Sequence, residues 1–155
     1  MPAVIDVAYV EKVMAALDHV YGDAIRILAR ERQITKEFLE HLVAIYTERE
    51  FEVAQRAWVE DVAKGLPGLV GAPENPRTGI RHALLLTEAC ILVAVDRDFS
   101  GSRSSPPSTP QKFIGLTPKQ PARDPRNLNP TPWSISFDGF VAEPAGAVPE
   151  APCVA

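Results

Sequence analysis

The sequence lacks the short motifs by which many enzymes are recognised. Its 155 residues contain no Gly-x-Ser-x-Gly, Walker or Gly-x-Gly-x-x-Gly pattern. Nothing therefore indicates a serine hydrolase, a P-loop enzyme or a dinucleotide-binding protein. No catalytic or cofactor-binding residue stands out, so we expect a protein that is not an enzyme and that uses no cofactor.

Cysteine is scarce, and its two positions, Cys90 and Cys153, resemble neither a disulfide framework nor a zinc site. Cys90 lies in an apolar run, where we expect a buried and unreactive thiol. The N-terminus has no basic region followed by a long apolar run, so we expect no signal peptide. The most apolar stretch, residues 83–95, is shorter than the roughly 20 residues of a membrane-spanning helix. We therefore expect a cytoplasmic location, or one within an assembled particle.

Strong charge of either sign is also missing. The net charge is -4, which argues against a surface that attracts nucleic acid or anionic membrane as a whole. The segment 101–126 is a mildly basic arm, with five basic residues and one acidic residue. Because it has few aromatic side chains to stack on bases, it is weak evidence for nucleic-acid binding. We expect other protein subunits as partners instead, either different proteins or copies of the chain itself.

Proline is absent between Ala3 and Leu66, whereas eleven of the 15 prolines fall between Pro106 and Pro152. Each proline removes a backbone donor and disfavours helix in the residue before it. The distribution predicts a helical domain over residues 1–100 and an extended, proline-rich tail over residues 101–155.

Apolar spacing in the first hundred residues predicts an all-α fold with three helices. The first begins after Asp6 and ends near Arg32. The second begins after Thr35, ends at Gly65 and forms an antiparallel hairpin with the first. The third covers residues 78–99 and is apolar on nearly every face, so a single hairpin covers it incompletely.

The uncovered surface of this third helix is the clearest indication of a partner. Two short apolar patches in the tail, residues 113–116 and 133–137, are unusual for a flexible linker. The second patch alternates apolar and polar residues, which suits either a short edge strand or a segment that adds a strand to the sheet of a partner. Either these patches fold back onto the body, or they anchor on a neighbouring subunit. The candidate partner-binding residues are Leu85, Leu92, Phe113, Ile114, Leu116, Trp133, Ile135, Phe137 and Phe140.

Two groups of polar residues are candidate sites. Glu37 and His41 are spaced by four residues, not by the three of the Glu-x-x-His pattern in helical di-metal centres, so we name no metal ligand. The charged run 48–52 has two interpretations. It is either a solvated helix face with internal ion pairs or a recognition surface.

These features lead to two hypotheses on function. The first is a structural or assembly subunit of a larger complex, such as a virion or another multi-subunit particle. It would dock through the third helix and extend its tail over neighbours. The alternative is a stand-alone helical module that binds a ligand or regulates a partner, with the tail folded back as a lid.

Overall fold

The computed structural model describes residues 4–104, 112–139 and 152–153. It has an α+β fold, so the prediction of an all-α helical bundle is wrong. Three helices precede a four-stranded antiparallel sheet, and one short 3-10 helix, Pro121–Arg123, lies between the last two strands. The elements are α1 (Val7–Glu31), α2 (Lys36–Ile45), α3 (Glu48–Ala63), β1 (Arg77–Leu86), β2 (Ile91–Asp98), β3 (Lys112–Pro118) and β4 (Trp133–Gly139).

The first helix is confirmed at both ends. The Asp6 carboxylate accepts a hydrogen bond from the backbone N–H of Tyr9 at 2.8 Å, which caps α1. Arg32 follows the helix in the left-handed conformation, with φ of 58°. Thr35 caps α2 through Phe38, as its position predicts. The first helix and the start of the second could therefore be located from capping and spacing alone.

The predicted second helix is divided in two at Tyr46 and Thr47. Tyr46 is extended and forms a parallel bridge with Ile135 of β4. The Thr47 N–H donates to the Ile135 carbonyl at 3.0 Å, and the Thr47 hydroxyl accepts from the Glu50 N–H at the start of α3. Because the sheet edge pairs with the chain at this point, the helix is interrupted and restarts in a new direction.

The predicted third helix does not exist, because residues 78–99 form the β1–β2 hairpin. Thr87 and Cys90 close the turn with three hydrogen bonds of 2.9–3.0 Å. Residues 91–95 are buried on both faces of the sheet, and a strand in that position is apolar throughout. An apolar run of this length fits a buried strand as well as a helix.

The predicted extended tail contributes half of the sheet. β3 pairs with β2, and β4 pairs with β3, so the sheet order is β1-β2-β3-β4. β4 is an edge strand in the segment where alternation indicated one. The proline-rich loop before it is held by Asn129, whose amide donates to the carbonyls of Ala44 and Trp133 at 2.9 and 2.7 Å.

The hydrophobic core lies between the three helices and one face of the sheet. On the opposite, outer face, a second and smaller cluster contains Leu92, Ala94 and Phe113. The main core is formed by α1 and α2 side chains together with inward-facing strand residues, among them Met14, Leu28, Phe38, Leu42, Ile91, Val93, Ile114, Leu116, Trp133 and Ile135.

A disulfide joins Cys90, at the β1–β2 turn, to Cys153. The expectation that the two cysteines form no disulfide is wrong. Because disulfides persist mostly in oxidising compartments, the bond removes the support that the cysteines gave to a cytoplasmic location. The Pro152 carbonyl accepts from the Ser136 hydroxyl at 2.6 Å on the outer face of the sheet. Gly115 permits this approach, because any Cβ there would meet the Pro152 backbone. Within the described ranges, no helix is long and apolar enough to cross a membrane.

Candidate functional site

Charged residues collect at one end of the sheet, where β1 and β3 begin and β2 and β4 end. Thr78 of β1 lies opposite Arg97 of β2, and Asp138 of β4 lies opposite Ile114, two residues beyond Lys112 at the start of β3. Antiparallel pairing therefore brings together four positions that are far apart in the sequence. Asp18, from the middle of α1, completes this group.

Arg97 is at the centre of the group, and only 3% of its side chain is exposed. Its guanidinium donates to Asp18 at 2.6 Å, to Asp138 at 3.2 Å and to the Thr78 hydroxyl at 3.1 Å. Burial by itself lowers the pKa of Arg97, but the two carboxylates outweigh it and the pKa is raised. Burial raises the pKa of Asp18 in spite of the opposing charge of Arg97. Arg97 thus stays charged in an interior position because three acceptors surround it.

Two further ion pairs flank this centre. Lys112 Nζ lies 2.8 Å from Asp138 Oδ1, so Asp138 is shared between Arg97 and Lys112. Arg103 Nη2 lies 2.6 Å from Asp61 Oδ2 on α3. The Arg103 guanidinium also stacks over the Trp58 ring, 5.1 Å from its centroid. The three basic side chains are each held by a carboxylate of the same chain.

A cavity of about 410 Å³ opens beside these ion pairs, between α3 and the charged end of the sheet. One part of its wall is apolar or aromatic, and the other part is charged. Such a mixture is typical of small-molecule sites, in which apolar walls supply contact and a few polar groups set orientation. The lining residues include Tyr21, Tyr46, Val53, Ala54, Ala57 and Trp58 on the first part, and Glu50, Asp61, Arg103, Lys112 and Asp138 on the second.

Glu50, in the first turn of α3, differs from the other carboxyl groups of this cavity. It has no ion-pair partner among the described residues, although it lies near Asp138. Burial raises the pKa of Glu50 to about 7, and the negative charge of Asp138 contributes in the same direction. A hydrogen bond from the Asp138 backbone and the charges of Arg49 and Lys112 oppose this rise. Glu50 therefore takes up or releases a proton near neutral pH.

Two tyrosines form the inner wall of the cavity. Burial raises the pKa of Tyr21 to about 12 and that of Tyr46 well above its ordinary value. Both phenols consequently remain neutral at physiological pH and keep their hydroxyl protons. The cavity lining thus combines two neutral phenols with a carboxyl group whose charge depends on pH.

The other candidate polar residues from the sequence, Glu37, His41 and the charged run 48–52, form no joint site in the described structure. His41 Nδ1 lies 2.8 Å from the Glu37 backbone carbonyl, so these two side chains do not form a joint site. Over the described ranges, no group of three His, Cys, Asp or Glu side chains is arranged to hold a metal ion. Of the charged run 48–52, only Glu50 lines the cavity.

The basic arm 101–126 is engaged with its own chain. Arg103 and Lys112 form the ion pairs described above, and Lys119 lies 3.2 Å from Asp124. Arg126 lies 2.7 Å from Glu40. The remaining basic residue of the arm, Arg123, donates to the Tyr46 carbonyl at 3.3 Å. That the chain does not bind nucleic acid stays a prediction.

Most candidate partner-binding residues are buried in the chain itself. On the helix-facing side, Ile114, Leu116, Trp133 and Ile135 are in the main core, and on the outer side Leu92 and Phe113 are in the second cluster. Phe137 is half-buried and Leu85 is 43% exposed. Phe140 lies outside the described residues. Partner binding through this set stays a prediction.

Sequence reasoning missed the charged site because its members are spread over 120 residues. One local signal was present. Asp18 lies between Met14 and Tyr21 on the buried stripe of α1, where a charged side chain requires a partner. The identity of that partner depends on strand register, which no local pattern reveals.

The fold and site define an α+β domain with a mixed polar and apolar cavity at the charged end of its sheet. Comparison with protein-family models, curated proteins and solved structures gives no match.

Proposed function

We propose that this chain is a small-molecule-binding protein and that its ligand site is the cavity between α3 and the charged end of the sheet. The observation that carries the proposal is Glu50, a carboxyl group without an ion-pair partner in the described structure, in the wall of a 410 Å³ cavity. Unusual protonation in a concave site is a common property of functional residues. Binding rather than catalysis is the proposed role.

A second cavity competes with this one. It has a volume of about 810 Å³ and lies between α2 and the loop before β4, with a largely apolar lining that includes Leu39, Val43 and Leu128. Its acidic residue Glu40 is paired with Arg126, and Asp124 is paired with Lys119. This groove is larger, but both of its carboxylates already have partners, so the α3 cavity is the better candidate.

The structure affects the two hypotheses that the sequence suggested, an assembly subunit and a ligand-binding module, in different ways. The structural or virion-type role rested on an uncovered apolar helix, and the structure replaces that helix with two paired strands. The ligand-binding alternative agrees with the cavity, although the module is not helical. The described end of the tail, Pro152 and Cys153, lies on the outer face of the sheet, away from the helices. The rest of the supposed lid, residues 140–151, lies outside the described residues.

A blocking substitution tests the site. Ala57 is exposed on α3 and lines the cavity, so Ala57→Phe fills the cavity without disturbing the core. Ala63→Phe is the matched control, because Ala63 is also exposed on α3 but lines no part of the cavity. A fragment screen followed by Trp58 fluorescence should find ligands that bind the wild type and the Ala63→Phe variant.

The same ligands should bind the Ala57→Phe variant at least about tenfold more weakly. Unchanged affinity in Ala57→Phe, or amide chemical-shift changes confined to the α2 groove, would show that this cavity is not the ligand site.

A further inference from the structure

We infer that the ligand of this cavity is an organic cation, an ammonium group on an apolar body, and that Glu50 is its counter-ion. The inference rests on the proposed function and names the chemical class that the same site binds. It follows from the ion pairs around the cavity. Among the described residues, the other charged groups there are paired and Glu50 is not.

Within the described structure, four carboxyl groups and three basic groups form the charged end of the sheet. Arg97 lies between Asp18 and Asp138, Lys112 contacts Asp138, and Arg103 contacts Asp61. The fourth carboxyl group, that of Glu50, forms no ion pair with another described residue, although the charges of Arg49 and Lys112 act on it. One positive charge would balance the group when Glu50 is ionised.

In the free protein a proton takes the place of this cation. Burial and the charge of Asp138 raise the pKa of Glu50 to about 7, so the carboxyl group is largely neutral in mildly acidic solution. A bound ammonium group supplies the missing charge and stabilises the ionised carboxylate. Binding of the cation is therefore coupled to release of the Glu50 proton, and affinity increases as the pH rises through 7.

An anionic ligand fits the same cavity less well. The two basic side chains in its lining, Lys112 and Arg103, are 2.8 and 2.6 Å from their carboxylate partners. An anion would have to compete with Asp138 or Asp61 for them, and it would lie close to Glu50. A cation meets a carboxyl group that forms no ion pair with any of the described residues, and a charge-assisted hydrogen bond results.

The rest of the lining indicates an apolar body on the cation. Val53, Ala54 and Ala57 form one side of the cavity along α3, and Val53 is 54% exposed at the surface. The Trp58 ring on α3 and the Tyr21 ring on α1 lie 6.4 Å apart, centroid to centroid, and both line the cavity. These surfaces supply apolar contact but no charge, so they favour a ligand with an aliphatic or aromatic body.

The pH dependence involves the charged and titratable groups of every element that faces Glu50. These groups are Asp138 on β4, Lys112 on β3, Tyr46 before α3 and Arg49 on α3 itself. Of these, Tyr46 shows a pKa far above neutral pH. Glu50 is accordingly the group to which we assign a proton-linked change in affinity near pH 7.

Three probes with one aromatic body test the inference: 2-phenylethylamine, 2-phenylethanol and phenylacetate. We expect the amine to bind about tenfold more tightly than the alcohol at about pH 8, and phenylacetate to bind most weakly. At about pH 6 the advantage of the amine should fall to roughly twofold, because Glu50 is then mostly protonated. Calorimetry in two buffers of different ionisation enthalpy should show that about half a proton is released on amine binding between pH 6 and 7, and almost none at pH 8, where Glu50 is already ionised.

Glu50→Gln should abolish the preference for the amine while it keeps the affinity for the alcohol. Glu52→Gln is the matched control, because Glu52 lies on the same helix, is exposed and is not part of the lining of this cavity. It should keep the wild-type preference. An amine preference that persists in Glu50→Gln, or equal binding of all three probes, would overturn the inference and leave the ligand site intact. If no probe or screened fragment perturbs the α3 cavity, the proposed function itself fails.

Discussion

At the scale of single residues, the surroundings of Glu50 and Gly22 show how distant segments decide local behaviour. Glu50 is in the first turn of α3, where the sequence alone suggests an ordinary solvated carboxylate. In the fold it faces Asp138 and a partly buried cavity. Gly22 is in the middle of α1, where glycine ordinarily weakens a helix by about 1 kcal/mol. In the fold it makes room for the loop before β1.

The first prediction concerns stability and pH. The pKa of Glu50 is about 7 in the folded chain and 4.5 for an ordinary glutamate, so the folded state binds this proton more tightly. The resulting stabilisation is fully present below pH 4.5 and is lost as the pH rises through 7. Between these limits, the unfolding free energy of the wild type should fall by on the order of 1 kcal/mol relative to Glu50→Gln, after allowance for solvent screening at this half-buried site.

Urea denaturation at a series of pH values measures this difference. The Glu52→Gln variant should follow the wild type throughout. A constant difference between wild type and Glu50→Gln over the whole range would mean that Glu50 titrates normally.

The second prediction concerns Gly22. A Cβ at this position would lie 3.0 Å from the Asn75 Cα and closer still to the Asn75 side chain. Asn75 in turn accepts a hydrogen bond from Arg26 at 2.8 Å. Gly22→Ala should therefore destabilise the fold by about 1–3 kcal/mol in spite of the better helix propensity of alanine.

Gly71→Ala is the control for Gly22→Ala, because no atom of the described residues lies within 4 Å of a Cβ at Gly71. Thermal unfolding of both variants compares them directly. A stabilised Gly22→Ala variant would show that the loop does not approach α1 at this point.

At the scale of elements, capping residues and apolar periodicity located α1 and the start of α2. They gave the wrong secondary structure where contacts with distant strands determine it, at Tyr46 and in residues 78–99. The interruption at Tyr46 had a local signal, since Thr47 and Glu50 form the Thr-x-x-Glu pattern of a helix start. The local signal for the β1–β2 hairpin was weaker. The apolar run 91–95 contains three β-branched residues, which favour strand, yet its period fits helix equally well.

The charged site could not be predicted for a related reason. Its residues come from α1, α3 and all four strands, and a shift of one residue in strand register would turn Arg97 to the opposite face. Only Asp18, on an otherwise apolar stripe, indicated that such a partner exists. The cavity beside it depends on the direction in which α3 leaves Thr47, which is determined by the bridge between Tyr46 and Ile135.

The third prediction concerns the N-terminus of α3, which follows the interruption at Tyr46 and Thr47. Thr47 is buried, and its hydroxyl accepts from the Glu50 N–H. Thr47→Ala should cost about 1 kcal/mol of stability through loss of the cap. It should also shift the midpoint at which Glu50 titrates, because the cap holds the first turn of α3 against the sheet edge.

Thr35→Ala removes the corresponding cap of α2 and should cost a similar amount without a change at Glu50. Chemical denaturation and a carboxyl NMR titration give the two readouts. Equal Glu50 midpoints in both variants would show that the α3 cap does not position this side chain.

At the scale of the whole molecule, the division into a helical body and an extended tail gives way to a single sheet shared by both parts. Residues 112–139 supply two of its four strands. The disulfide between Cys90 and Cys153 then ties the described end of the tail to the β1–β2 turn, across 63 residues of sequence. The chain thus covers much of its own apolar surface, which the sequence had assigned to a partner.

The fourth prediction concerns this disulfide. Cross-linking over a loop of this length should stabilise the fold by about 2–4 kcal/mol, mainly by restricting the unfolded chain. The Cys90→Ser/Cys153→Ser variant should unfold at a correspondingly lower denaturant concentration. In the wild type without reductant, alkylation followed by mass spectrometry should modify neither cysteine. Two labelled cysteines under those conditions would contradict the bond.

The titration of Glu50 in the wall of the α3 cavity is the property on which the proposed ligand site depends most. A ¹³C-carboxyl NMR titration of the glutamate-labelled protein, assigned with Glu50→Gln, measures it directly. The predicted midpoint for Glu50 is about 7, and saturation with 2-phenylethylamine should lower it. A midpoint near the ordinary 4.5, unchanged by the amine, would contradict both the unpaired carboxyl group and the ligand site built on it.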